Sequence, residues 1–214
     1  MRSFDEIRFN RGREVASKLL VGLRSNDILP KIYPAIFKYG VAEGSFHSYM
    51  LSALLLLGDR LGYSSVCDSP IFDRIDNILL GEGSKRPDSV WFDRGTENVR
   101  ILIEFERFTS VAIKLKARNL LIMANACTDD LDLLVLMYWT VVVRSFKDLH
   151  DAFDLSSKGP SGIGSYIGPA SCPIMMLETN TKRVGENICI ESFIAKLFIF
   201  GGENKGYVVE NFNQ

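Results

Sequence analysis

The sequence predicts an α/β fold, a mixed β-sheet flanked by helices, and three observations carry that expectation. Residues 43–61 repeat apolar side chains at the three-to-four spacing of a buried helical stripe. Residues 88–92 and 98–108 alternate as paired strands do, around a run of turn residues. An apolar helix-length segment at 110–127 precedes the continuous apolar run that begins at Leu133, the pattern of a strand covered on both faces. Helices interspersed with such strands pack on the faces of a sheet.

Taken in order, residues 1–40 read as a charged helical N-terminal arm ending in the proline-interrupted LPKIYPAIFKYG. In VAEGSFHSYMLSALLLLGDRLGY the stripe is Phe46, Met50, Ala53, Leu54, Leu57 and Leu61, and Gly62 is placed to stop the helix in a left-handed cap. SSVCDSPIFDRIDNILL can begin with a strand. DSVWF and NVRILIEFERF then form a hairpin, with DRGTEN supplying the turn chemistry. SVAIKLKARNLLIMANAC is apolar on nearly all sides, as a helix lying on a sheet must be. DLDLLVLMYWTVVV follows as a buried strand, and Trp91 and Trp139 belong to the core. SSKGPSGIGSYIGPASCP, residues 156–173, reads as a long loop, and loops of that length often carry function. ESFIAKLFIFGGENKGYVVENF closes the chain as two strands about a Gly-Gly-Glu-Asn turn. The chain is thus expected to be one domain: an arm at 1–40, a core at 43–153, and a loop and hairpin appendage at 156–214.

Composition narrows the function classes. The chain has 214 residues, 47% of them hydrophobic and 24% charged, with a net charge of −1. That balance gives no global attraction to nucleic acid or membranes, so any polyanion site must be a local basic cluster. The four cysteines form no CxxC pair and stand apart from both histidines, which fits reduced thiols in a cytoplasmic protein rather than zinc ligands. The N-terminus lacks an apolar signal region. The longest apolar run, Leu133 to Val143, is about 11 residues, against roughly 20 for a membrane span. GIGSYIG has neither a strand before it nor a helix after it, so it does not read as a nucleotide loop. His150 reads as a helix-surface residue.

One stretch calls for chemistry. On a strand Arg100, Leu102, Glu104 and Glu106 project to one face, and Val99, Ile101, Ile103 and Phe105 to the other. Asp88 lies on the preceding strand, on the face of Val90 and Phe92, where antiparallel pairing can bring it beside the glutamates. Three converging carboxylates repel one another unless one is protonated or a cation intervenes. Hard oxygen ligands at this density suit Mg²⁺, a standard partner of phosphodiester hydrolysis. A solvated sheet face would carry the same Glu-Phe-Glu triplet.

Pro87-Asp88 followed sixteen residues later by Glu104-Phe105-Glu106, after a helix and before a helix and a buried strand, resembles the PD-(D/E)XK nuclease superfamily. The likeness covers roughly residues 43–153. Most members end the motif in lysine; Glu106 stands there, as in a Glu-x-Glu variant found among type II restriction endonucleases. The resemblance implies a restriction-endonuclease-like core and a Mg²⁺-dependent endonuclease acting on double-stranded DNA, working as a homodimer on palindromic sites without a nucleotide cofactor. A repair, transposition or defence-complex nuclease of the same fold is an alternative. A non-catalytic DNA-binding or interaction subunit is another. By the same likeness Asp88 and Glu104 would hold the metal, and Glu106 would act as general base or orient the attacking water. Glu43, at the start of the first core helix with His47 one turn later, would add an acidic ligand, although a capping or solvated role fits it equally; Asp76 and Glu82 compete for that place. In some members the lysine moves to the following helix. Lys114 or Lys116 could then reach the site, while Lys114, Arg118 and Asn125 also make a solvent-facing stripe. Arg107, Lys116, Arg118 and Lys158 are the basic residues expected to meet DNA.

Overall fold

A computed structural model gives the structure and describes residues 6–25, 29–67, 86–127, 130–140, 170, 172–201 and 206–211. Lys158, His150, Asp76, Glu82 and most of the 156–173 loop lie outside these residues.

The described chain is a three-layer α/β assembly. Its helices are α1 (Glu6–Arg24), α2 (Leu29–Ile32), α3 (Glu43–Arg60) and α4 (Ser110–Ala126), with a π-helical turn at Ala35–Tyr39. Its strands are β1 (Val41–Ala42), β2 (Tyr63–Cys67), β3 (Ser89–Asp93), β4 (Val99–Arg107), β5 (Leu133–Thr140), β6 (Ile174–Val184), β7 (Asn187–Gly201) and β8 (Gly206–Asn211). The sheet is seven strands wide in the order β1-β7-β6-β5-β4-β3-β2, with β8 also paired to β7. The pairs β4–β5 and β5–β6 are parallel; every other pair is antiparallel.

Each face has its own core. On one face Leu19 and Leu23 of α1 and Phe46, Met50, Leu54 and Leu57 of α3 pack on Trp91, Ile101, Ile103, Phe105, Val135, Met137, Trp139 and Leu177. Each such side chain contributes about 1.5–3 kcal/mol by leaving water. On the other face Ile113, Ala117, Leu120, Leu121 and Ala124 of α4 cover Val90, Leu102, Leu134, Leu136, Ile174 and Met176. The face carrying Leu102 and Glu104 is therefore enclosed, and the one carrying Ile101 and Phe105 is no more buried than it. Val99 joins the α4 side, because the β3–β4 register shifts between Trp91 and Phe92.

Of the stripe expected on α3, Phe46, Met50, Ala53, Leu54 and Leu57 are buried, Leu61 is the partly buried C-cap, and Gly62 follows with φ +92°. Gly58 lets the helix lie close to the sheet. A Cβ there would come within 2.7 Å of Ser65 Cβ and 2.9 Å of Trp91 Cε2. The hairpin turn is held by Asp93, whose Oδ1 accepts the Gly95 and Thr96 N–H groups at 2.7 and 3.3 Å. Residues 6–24, expected as part of an arm, lay Val15, Ala16, Leu19, Leu20 and Leu23 into the core. The C-terminal segment, expected as a loop and hairpin, also supplies β6 to the interior of the sheet.

The long strand β7 meets β6 along one edge. Its other edge is shared: Asn187 and Ile188 pair with β1, and Lys196–Gly201 pair with β8. Between these contacts no described strand pairs with it, and Arg24 donates from Nε and Nη2 to the Phe193 carbonyl at 3.2 and 2.7 Å. Gly40, at φ +74°, lets the chain reach β7; a Cβ there would stand 2.9 Å from Asn187 Cβ and 3.2 Å from the Ile188 carbonyl. This contact ties the start of α3 to the tip of the β6–β7 hairpin. Among the described residues no helix is long and apolar enough to cross a membrane.

A candidate catalytic site of two carboxylates and a lysine

The β3–β4 register pairs Ser89 with Ile103, which leaves Asp88 facing Glu104 at the next rung. The Phe105 N–H donates to Asp88 Oδ2 at 2.7 Å and continues the ladder with a side chain in place of a backbone carbonyl. Glu104 is 1% exposed beneath α4, and Asp88 is buried beside it.

The cation between them comes from α4. Thr109 caps that helix, its Oγ1 accepting the Ala112 N–H at 3.1 Å. The apolar stripe of Ile113, Ala117, Leu120 and Ala124 then fixes the rotation of the helix on the sheet. With that rotation Lys116 points inward. Its Nζ donates to Glu104 Oε2 at 2.5 Å and to Asp88 Oδ2 at 3.0 Å. From the opposite layer His47 of α3 brings Nε2 to 3.1 Å from the Phe105 carbonyl and 3.9 Å from Asp88 Oδ2, its ring stacked on Phe105.

Burial disfavours the charge on every member of this cluster, and the neighbours decide each outcome. For Asp88 burial is outweighed by the nearby His47 imidazole, the Lys116 charge and the Phe105 N–H, and its pKa falls to about 2. For Glu104 burial and the Asp88 charge outweigh Lys116 and push it up to about 8. Burial opposes the Lys116 ammonium, but Glu104 and Asp88 overcome it and raise its pKa. The Asp88 carboxylate, 3.9 Å from Nε2, raises that of His47.

The expected residues divide accordingly. Asp88, Glu104 and Lys116 meet in one cluster. Glu106 lies two residues beyond Glu104 on the same face, beside Tyr138 in register, half-buried, and its Oε1 accepts the Arg107 N–H at 2.7 Å. Lys114 and Arg118 are exposed on the outer side of α4. Glu43, expected as a metal ligand, is engaged by two guanidiniums, Arg107 and Arg183, each at 2.5 Å. Arg107, expected to meet DNA, also lies over the Trp139 ring at 5.2 Å from its centroid. Two residues of the neighbourhood were given no role by the sequence. His47 had a usable signal, its place one helical turn after Glu43; Arg183 had none, because the strand that carries it was not anticipated.

Among the described residues no group of three or more His, Cys, Asp or Glu side chains is arranged to hold a metal ion. The donor set still suits a hard cation. Two carboxylates already converge on one positive centre within 3.0 Å, and Mg²⁺ is commonly held by one or two carboxylates, with waters and substrate phosphates completing its shell. No family model matches the chain, and neither does any curated protein or solved structure.

Proposed function

We propose that the chain is a Mg²⁺-dependent endonuclease that hydrolyses phosphodiester bonds of double-stranded DNA. The observation that supports this best is the Lys116 ammonium held between Asp88 and Glu104 at the end of the β3–β4 hairpin. It supplies the lysine that the Pro-Asp…Glu-Phe-Glu pattern lacks at position 106.

In this reading Asp88 and Glu104 hold Mg²⁺, which when bound polarises a phosphate oxygen and acidifies a water. Asp88 suits the task because it stays ionised far below neutrality. Glu104 keeps its proton up to about pH 8 in the metal-free protein and would give it up on holding the ion. Lys116 presents a fixed positive charge where negative charge grows on the phosphate, in a site α4 shields from water. His47, donating to the Phe105 carbonyl, holds the Glu104–Glu106 backbone in place. Glu106 is a bystander at the rim.

Incubation with supercoiled plasmid in Mg²⁺, against an EDTA control and followed by end sequencing, tests this. Glu104→Gln and Lys116→Ala should each lower cleavage by at least about a hundredfold, the scale of one preorganised charge or proton-handling group. Lys114→Ala and Glu106→Gln should stay within a few-fold of wild type. Full activity in Lys116→Ala with none in Glu106→Gln would return the third position to Glu106.

A further inference from the structure

Two arginines from separate strands converge on a single carboxylate of α3, the helix whose His47 reaches Asp88 from the sheet face opposite Lys116. Arg107, the last residue of β4, brings Nη1 to 2.5 Å from Glu43 Oε1, and Arg183 of β6 brings Nη2 to 2.5 Å from Glu43 Oε2. The group carries one surplus positive charge. Its arginines are 56% and 51% exposed, and solvent-exposed ion pairs contribute little to stability. Stability alone is therefore a poor account of so ordered a contact.

The geometry is that of oxyanion recognition. Planar guanidinium forks match carboxylate and phosphate alike. The Arg107 guanidinium lies over the Trp139 ring, 5.2 Å from its centroid, and the β1–β7 pairing beside Gly40 holds Glu43 near the hairpin that bears Arg183. Glu43 precedes His47 by four residues and so shares its helix face, roughly 6 Å away. His47 in turn reaches Phe105 and Asp88. Arg107 lies two residues beyond Phe105, on the same strand face.

We propose that Arg107 and Arg183 form a clamp for a backbone phosphate of duplex DNA next to the bond that is cut, and that Glu43 fills this clamp in the free protein as an internal substitute for the phosphate. The clamp rests on the nuclease reading for its ligand, not for its geometry. DNA binding displaces Glu43 from the two guanidiniums, so the free protein is held back from its ligand by its own carboxylate.

The test is anisotropy of a labelled duplex two helical turns long, in EDTA, over a series of salt concentrations. Arg183→Ala and Arg107→Ala should each weaken binding about tenfold and reduce the slope of log affinity against log salt by about one, as loss of one phosphate contact does. Glu43→Gln keeps the side-chain shape without the charge and should tighten binding several-fold. Arginine variants that bind as wild type does, with the same salt slope, overturn the clamp. So does a Glu43→Gln variant that loses Mg²⁺ affinity without gaining DNA affinity, since Glu43 would then be a metal ligand. Cleavage of the same duplex in Mg²⁺ separates the two readings. Wild-type cleavage with unaltered binding by the arginine variants removes the clamp alone. Weakened arginine variants and a tightened Glu43→Gln, with no cleavage in Mg²⁺, remove the nuclease reading and keep the clamp. A wild-type protein that does not bind the duplex at all removes both.

Discussion

Glu104 and Lys116 illustrate what a residue's surroundings add to its identity. The sequence places Asp88 opposite Glu104, because strand alternation and hairpin pairing are enough for that. It does not choose between Lys114 and Lys116. α4 carries apolar residues on all sides, with Val111 and Leu115 exposed at 77% and 53%, while a lysine faces the sheet. Local periodicity does not reveal which stripe of such a helix meets the sheet; the one that does, Ile113, Ala117, Leu120 and Ala124, also brings Lys116 to the buried carboxylates. The same carboxylates make the metal-free protein sensitive to pH. Glu104 holds its proton more tightly folded, up to about pH 8, than at the ordinary 4.5 of an unfolded chain. Between those values the folded state binds more protons, so stability falls as pH rises through this window. Asp88 acts oppositely: lowered from 3.8 to about 2, it stabilises above pH 3.8 and loses that contribution as pH falls toward 2. Denaturation midpoints in EDTA should therefore decline from about pH 5 to 8 in wild type, and Glu104→Gln should flatten that decline. Parallel profiles would show that Glu104 does not titrate there.

At the scale of elements, α3, the β3–β4 hairpin, α4 and β5 were legible because each buries a periodic apolar set. β6 was not. Its second half reads Glu178-Thr179-Asn180-Thr181, polar residues that suggest a turn, yet all four are buried. Partners outside the local sequence meet part of the need: Tyr138 Oη donates to Glu178 at 2.7 Å, Thr181 Oγ1 to the Thr140 carbonyl at 3.0 Å, and Asn180 Nδ2 to Ser192 Oγ at 3.1 Å, while Thr179 Oγ1 and Asn180 Oδ1 find no hydrogen-bond partner among the described residues. Such tertiary satisfaction of buried polar groups is invisible to a local pattern. Two substitutions test how the elements are set. Gly58→Ala should destabilise by about 1–3 kcal/mol, because its methyl group would meet Ser65 and Trp91 in a packed interface. Thr109→Ala should cost about 1 kcal/mol by uncapping α4, with Thr109→Ser restoring most of it. Urea titrations measure both, and a silent Gly58→Ala would mean that α3 does not pack so closely on β2 and β3.

For the whole molecule, the sequence anticipated the α/β class and the order of elements through β5. It gave no sign that the first helix joins the core or that β7 holds three strands, since both follow from long-range packing. A nuclease that cuts both strands of a palindrome in one encounter works as a two-fold dimer. Under the proposed reading, sedimentation with a palindromic duplex should find two chains per duplex. A single chain at every concentration would favour a subunit of a larger repair or defence complex. The divided edge of β7 bears on a different property, resistance to aggregation. Unpaired strand edges invite strands from other molecules. Among the described residues no strand covers β7 between β1 and β8, and there the Arg24 guanidinium holds the Phe193 carbonyl, a charge that a second chain would have to displace before adding a strand. Arg24→Leu would expose that carbonyl beside an apolar side chain, and light scattering on mild heating should rise earlier than in wild type while the native secondary structure at room temperature is unchanged.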